Sequence, residues 1–331
     1  MRILVTGGAG YIGSHTARSL AAQGHHVVVM DDLGHGHPAA VGDLPLVIGD
    51  VRDGDLVADT LRSGSIDAVV HFAAYKSVEE SVTAPGIYFD NNVGGTLSVL
   101  RAMERTGVGR LVFSSTCAVY GLPRTLPVDE SAPVAPMNPY GESKLMAERL
   151  LPWFEAAHGL RSAVLRYFNA AGAAIDGSAG EDWQGAANLI PVVLQVAAGR
   201  RPGLHINGTD HPTPDGTAIR DYIHVDDLAA AHATALEAID VKGSFTVNVG
   251  TGRGASVLEV LDAARRITGH DIPAVAGPPR AGDPPAVWAD TRRATELLGW
   301  QATRTLDDII TSAWRWHREH PDGYAMSEAA T

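Results

Sequence analysis

The sequence predicts an α/β protein with a doubly wound parallel sheet and a smaller second α/β part. Three observations carry that reading. Short apolar runs alternate with helical segments through the first half of the chain, a glycine-rich turn joins the first run to the first helix, and a pair of aspartates closes the second run. Such alternation makes βαβ units, whose crossover helices cover both faces of a parallel sheet.

Taken in order, residues 2–6 read as a buried strand and 11–23 as a helix ending near Gly24. Further strands are expected at 26–30, 46–49, 68–72, 110–115 and 162–167, with helices at 54–62, 85–106 and 140–157. After Asn169 the rhythm changes, and Gly, Pro, Asn and Asp become dense through Gly216. A helix at 226–239 and a strand at 245–249 are expected to rejoin the first part. Helices near 257–267, 291–298 and 305–320 belong to the second, with Trp300, Trp314 and Trp316 as its core. The expected division is therefore 1–168 plus 217–250 for one domain and 169–216 plus 251–331 for the other. The small, polar stretch 325–331 is expected to fray.

The 331 residues suffice for one large or two medium domains, and 45% hydrophobic with 19% charged residues describes a globular chain. With 26 basic and 38 acidic side chains the net charge is −12, which argues against nucleic acid or an anionic membrane as the main partner. The single Cys117 excludes an intrachain disulfide framework. Met1 leads directly into a strand-like run, and no apolar stretch approaches the ~18 residues that span a bilayer. A reducing cytoplasm is the expected location.

Gly7-Gly8-Ala9-Gly10-Tyr11-Ile12-Gly13 follows the first strand and opens the first helix. Glycines permit the tight turn and let backbone approach a pyrophosphate at the positive helix N-terminus. With strand, loop and helix in the required order, a Rossmann dinucleotide site is expected. Asp31 and Asp32 lie 18 and 19 residues beyond Gly13. A carboxylate there accepts from ribose hydroxyls and repels a 2′-phosphate, favouring NAD over NADP; the plainer alternative is a turn-forming pair before Gly34. Asp50 is a candidate for the adenine amino group or a cap for the following helix. His35 and His37 are too irregularly placed for a metal site and read as solvated loop residues; no metal is expected.

Tyr140 and Lys144 stand four residues apart, on one face of a helix. A buried ammonium there would favour the tyrosine phenolate, making a proton acceptor of a group with an ordinary pKa of about 10. On its own the pair is equally a solvated helix face.

Together with Thr6-Gly7-Gly8-Ala9-Gly10-Tyr11-Ile12-Gly13-Ser14-His15, the chain carries His71-Phe72-Ala73-Ala74-Tyr75-Lys76, Asp90-Asn91-Asn92-Val93 and Phe113-Ser114-Ser115-Thr116. Arg166-Tyr167-Phe168-Asn169, Arg220-Asp221-Tyr222-Ile223-His224-Val225 and Trp288-Ala289-Asp290 complete the set. Over nearly its whole length the sequence resembles the extended short-chain dehydrogenase/reductase family. The resemblance implies Tyr140 as catalytic base, Lys144 on the nicotinamide ribose and Thr116 hydrogen-bonding the sugar. It also places Leu33, Gly34, His35, Gly36, Val51, Phe72, Ala73, Ala74, Lys76, Asn91, Tyr167 and Phe168 around a tightly bound NAD. Two departures, Ala74 for a commoner Gly and Tyr75 for an aliphatic, imply a modest change in packing.

The activity implied is 4-epimerisation of UDP-hexoses through a 4-keto intermediate. In related dehydratases an Asp-Glu pair follows the active-site Thr, whereas Cys117 and Ala118 follow Thr116 here. For the substrate, the resemblance implies Lys76, Asn169, Asn188, Leu189, Arg220, Arg280 and Asp283 on the diphosphate, sugar and uridine ribose. His205, Ile206 and Asn207 would line the uracil. Arg220 has the alternative of an ion pair with Asp221 or Asp226, and Arg280 that of an exposed loop residue. Val287 stands where the family contacts the hexose C2 substituent, so N-acetylated sugars are expected to fit; a plain packing residue is the alternative. Rival activities are a uronate or pentose 4-epimerase and a silent NAD-binding regulator. A homodimer through 85–106 and 140–157 is implied by the same kinship.

Overall fold

The computed structural model describes residues 1–183, 186–279 and 283–324. The chain runs β1 (Arg2–Thr6), α1 (Tyr11–Ala22), β2 (His26–Asp31), α2 (Pro38–Val41), β3 (Leu46–Ile48), α3 (Gly54–Ser63) and β4 (Ala68–His71). Then come α4 (Val78–Thr83), α5 (Pro85–Tyr88), a π-helical stretch at Phe89–Gly94, α6 (Gly95–Thr106), β5 (Arg110–Thr116), a 3₁₀ turn at Cys117–Tyr120 and α7 (Pro139–His158). β6 (Arg161–Tyr167), β7 (Asn169–Ala171), α8 (Leu189–Ala197), β8 (Leu204–Asn207), β9 (Ile219–His224), α9 (Val225–Lys242) and β10 (Phe245–Val249) follow. The last elements are β11 (Gly254–Ser256), α10 (Val257–Thr268), β12 (Ala274–Gly277), β13 (Ala286–Val287), α11 (Arg292–Leu298) and α12 (Leu306–Glu319).

Seven strands form one parallel sheet in the order β10-β6-β5-β4-β1-β2-β3. Alternate residues of each strand feed opposite faces. Ile3 and Val5 join Leu20, Leu228 and Leu236 on the α1/α9 side, while Leu4 joins Val57, Leu61, Leu100 and Leu151 on the α3/α6/α7 side. Both faces being covered, the strands read as continuous apolar runs, which is why they were visible in the sequence. The order reverses at β1, flanked by β2 and β4, and the carboxyl ends of the strands at such a reversal are where an open α/β sheet forms its ligand crevice.

The remaining strands form two small sheets, one of β11-β9-β13 with β7 beside β9, the other of β12 and β8. Ile190, Leu194, Leu204, Leu261, Ile309 and Ile310 make their core with α8, α10 and α12. Several expectations change here. Trp300 does not pack in this core: it is buried against α9 and the large sheet, its indole donating to Asp227 O at 3.2 Å. The helix expected at 85–106 is present and continuous, with a π-helical stretch at Phe89–Gly94 where Asn92 turns its side chain to the loop at Tyr75. β7, β8 and β9 gave no strand signal, being set among Gly, Pro and charged residues. Asp221 sits wholly buried in β9 because it accepts from Thr251 N, Thr251 Oγ1, Gly252 N and Ala289 N. Residues 325–331 lie outside the described part of the chain.

Candidate active site

The glycine turn sits at the crevice. Gly7 holds φ +69°, and a Cβ on it would lie 2.5 Å from Ala73 N, so the β1 and β4 loops meet through bare backbone. A Cβ on Gly13 would lie 2.2 Å from Gly7 O. α1 starts from Gly10 with no side-chain cap, leaving its first amides for an external acceptor. Those uncapped amides on a close-packed turn fit a dinucleotide pyrophosphate.

Asp31 is buried at the end of β2. It accepts from Ala9 N and Leu33 N, both at 2.9 Å, and burial pushes its carboxyl above the usual value. It thus fixes the turn as well as facing the crevice. Asp32 accepts from Gly34 N at 2.9 Å. A Cβ on Gly36 would lie 2.7 Å from Asp31 Oδ1, which explains the small residue there. Asp50 does not cap α3; Asp53 does, accepting from Asp55 N and Leu56 N. Asp50 instead pairs with Arg52, whose guanidinium holds it below the ordinary carboxylate range. His37 is not a free solvated residue: its Nε2 lies 2.8 Å from Asp182 and its ring stacks on Tyr324 at 5.2 Å. His35 meets the Tyr75 ring edge-on at 5.7 Å. The side chains of Val51 and Phe168 are buried in the surrounding cores, leaving backbone as what they present.

α7 begins where Asn138 caps Gly141 N at 2.8 Å and Pro139 takes the first turn. That start brings Tyr140 and Lys144 to the carboxyl end of β5. Thr116 lies beside the Tyr140 phenol, and Lys144 Nζ donates to Ser114 O at 2.8 Å while lying 4.9 Å over the Phe113 ring. The expected lowering of the tyrosine is not what this geometry produces. Burial, the largest influence, pushes Tyr140 well above its ordinary value, and the neighbouring Thr116 hydroxyl pulls the other way. Burial also brings Lys144 down to about 8. Next to them, Tyr167 is raised by burial and eased by a hydrogen bond from Ser114.

A set of buried polar residues frames this group. His71 is buried and held neutral, with its pKa brought down to about 3 by desolvation. Its Nε2 lies 3.1 Å from Thr96 Oγ1, which itself donates to Asn92 O; His71 Nδ1 therefore accepts from Thr6 Oγ1 at 2.6 Å. Asn92 donates to Ser143 Oγ at 2.9 Å and receives Asn91 Nδ2 at 3.2 Å. Sequence reasoning chose Asn91 and passed over Asn92 and Ser143. The motif Asp90-Asn91-Asn92 was the signal for Asn92, and Ser143 carried none.

The residues assigned to the nucleotide sugar fall into two groups. Arg220 pairs with Asp283 at 3.1 Å, not with Asp221 or Asp226, and Val287 is in register with Arg220 across β13 and β9. Asn169 enters the same sheet beside Tyr222. Elsewhere Lys76 Nζ lies 3.9 Å from Glu181, a buried carboxyl raised by desolvation and eased by Lys76 and by Asn188 at the start of α8. Leu189 opens that helix, so its amide is among the uncapped ones. Glu181 was missed, having no recognisable motif. His205, Ile206 and Asn207 lie on β8 beside β12, with His205 exposed and Ile206 buried. Val287 is 6% exposed and packs with Val119, Leu145 and Phe168. Arg280 lies outside the described residues.

Comparison with known proteins shows the family. The model of the NAD dependent epimerase/dehydratase family matches residues 3–250. A UDP-glucose 4-epimerase of Lacticaseibacillus casei is 49% identical over 327 residues, covering 98% of this chain and 99% of that protein. The crystal structure of UDP-glucose 4-epimerase from Brucella ovis in complex with NAD superposes with a TM-score of 0.93 at 47% identity, covering 95% of this chain and 97% of that one. The Bifidobacterium longum enzyme in complex with NAD+ and UDP gives a TM-score of 0.93 at 42% identity, covering 98% of this chain and 100% of that one. With its family model matched over most of its length and relatives at these identities, the chain belongs to the NAD dependent epimerase/dehydratase family.

Proposed function

We propose that this protein is an isomerase that interconverts UDP-hexoses at C4, using tightly bound NAD. The observation that carries the reading is the meeting of Tyr140, Thr116 and Lys144 at the end of β5, beside the uncapped glycine turn. No further acid or base follows Thr116: burial pushes the Cys117 thiol up to about 12. That absence favours epimerisation over dehydration.

Bound NAD supplies a hydride acceptor and donor at its nicotinamide, and a positive charge beside Tyr140. Tyr140 Oη, as phenolate, takes the proton of the sugar 4-hydroxyl while Thr116 Oγ1 hydrogen-bonds that oxygen. The 4-keto sugar turns its other face, and Tyr140 returns the proton to the same oxygen. Lys144 orients the nicotinamide ribose and opposes the burial that disfavours the phenolate. Because the sugar must rotate, the pocket grips the nucleotide and holds the hexose loosely; uniform tight binding would stop turnover.

In this reading residues 1–168 plus 217–250 bind NAD, and 169–216 plus 251–331 bind the UDP-sugar. The Gly7–Gly13 turn, Asp31, Asp32, the loop 33–36 and residues 72–76 line the cofactor, with Asp50 reaching the adenine. Arg220, with Asp283, and Asn188 with Lys76 engage the diphosphate and ribose. Two copies pair through the helices of 85–106 and 140–157, where Trp153 is 75% exposed and Ile87 and Met146 are also exposed. Among the described residues no helix is long and apolar enough to cross a membrane. A cytoplasmic location fits a chain whose one cysteine is free.

The purified protein, incubated without added NAD, is expected to convert UDP-galactose and UDP-GalNAc, and to leave UDP-galacturonate largely unchanged. Conversion of none of these by protein shown to hold NAD contradicts the reading. Val287→Tyr is expected to slow UDP-GlcNAc at least tenfold and UDP-glucose little, since one aromatic ring fills the space an N-acetyl group needs. Equal UDP-GlcNAc rates in both proteins would make Val287 a packing residue only.

A further inference from the structure

A buried hydrogen-bonded network beneath the site has no part in the chemistry above. Glu148, one turn beyond Lys144 on α7, accepts from Ser115 Oγ at 2.5 Å. Arg166 on β6 forks onto the same carboxylate, Nε to Oε1 at 3.0 Å and Nη2 to Oε2 at 2.6 Å. Arg166 Nη1 donates to the Tyr120 hydroxyl at 3.1 Å, which donates to Asn248 Oδ1 at 2.7 Å. One carboxylate therefore ties α7 to two neighbouring strands of the sheet.

The place of Ser115 gives this a chemical consequence. It is the middle residue of Ser114-Ser115-Thr116. Ser114 O receives the Lys144 ammonium at 2.8 Å, and the Thr116 hydroxyl meets the Tyr140 phenol. Consecutive strand residues cannot shift independently, so a grip on Ser115 sets both neighbours. A buried ion pair is in general a weak source of net stability compared with apolar packing, so stability alone accounts poorly for a charge here.

We propose that Glu148 is a positioning residue for the reaction: through Ser115 it fixes the end of β5 that presents the Ser114 carbonyl to Lys144 and the Thr116 hydroxyl to Tyr140. The proposal rests on the 4-epimerase reading. Glu148 raises Lys144 against the burial that brings it to about 8. The other titratable groups near the ammonium are His71 on β4, which is neutral, Tyr140 one turn back on the same helix and Tyr167 at the end of the adjacent β6. Arg166 is engaged with Glu148 itself.

The test is a lysine titration read beside kinetics. The sequence holds three lysines, Lys76, Lys144 and Lys242, so ε-13C-lysine labelling of the holoenzyme gives three resonances, and Lys144→Met assigns one. Glu148→Gln keeps the side-chain shape and removes the charge. It is expected to lower the Lys144 midpoint by about one pH unit and to draw the alkaline limb of the kcat profile down with it. Glu148→Asp, which keeps the charge, restores the midpoint. Ser115→Ala leaves the Glu148–Arg166 pair in place. It is expected to lower kcat about tenfold, with KM for UDP-galactose and the Lys144 midpoint unchanged. A Ser115→Ala enzyme with wild-type kcat, or a Lys144 midpoint indifferent to Glu148→Gln, makes the network purely structural and overturns the proposal. Should Glu148→Gln not fold, the Ser115→Ala kinetics decide. A wild type that epimerises nothing refutes the functional reading instead, and the titration then still reports whether Glu148 sets Lys144.

Discussion

Tyr140→Phe is expected to lower kcat for UDP-galactose by about three orders of magnitude, within the range that removing a general base produces. That loss corresponds to about 4 kcal/mol of transition-state stabilisation. The substitution removes one oxygen from a ring that is 7% exposed and leaves its packing in place. The fold, the glycine turn and the NAD content should therefore survive, and KM should move little. Steady-state rates beside the absorbance of bound cofactor check this. A variant retaining a tenth of wild-type kcat would remove Tyr140 from the role of base.

Gly13→Ala should strip the protein of its cofactor. The added Cβ would meet Gly7 O at 2.2 Å, Gly7 C at 2.9 Å and Gly8 Cα at 2.9 Å. All three are backbone atoms, so no side chain can swing away, and the turn itself must open. Opening separates the uncapped amides of α1 from the loop that Asp31 fixes through Ala9 N. Gel filtration should return protein with little NAD, a Tm lower by several degrees and activity down at least a hundredfold. Gly109→Ala is the control, because a Cβ there meets nothing within 4 Å. Full NAD content in Gly13→Ala would mean that the cofactor does not use this turn.

What the sequence revealed, and what it concealed, divides along physical lines. β1, α1, β2 and the helices around Leu56 and Leu236 were legible because local periodicity and glycine punctuation determine them. The Tyr140/Lys144 spacing was legible for the same reason, since helix geometry alone puts both on one face. The direction of the Tyr140 shift was not, because burial is a property of the packed protein. Nor were the partners of Arg220 and Glu148. Asp283 stands 63 residues from Arg220, and Ser115 stands 33 from Glu148. No local pattern records which distant residue meets which. The strands β7, β8 and β9 escaped notice because tertiary hydrogen bonds, such as those to Asp221, override their weak local preference.

The most direct test of the account follows one hydrogen. UDP-galactose deuterated at C4, incubated with the protein in ordinary water, should give UDP-glucose that keeps the deuterium at C4. The label would leave as hydride and return to the other face of the same sugar, while Tyr140 moves only the hydroxyl proton. Mass spectrometry of the isolated product reads the outcome. Product that has exchanged its C4 deuterium for solvent hydrogen would show that the protein works by removing a proton from carbon, and would contradict the assignment of Tyr140, Thr116 and Lys144 to a hydride-transfer site.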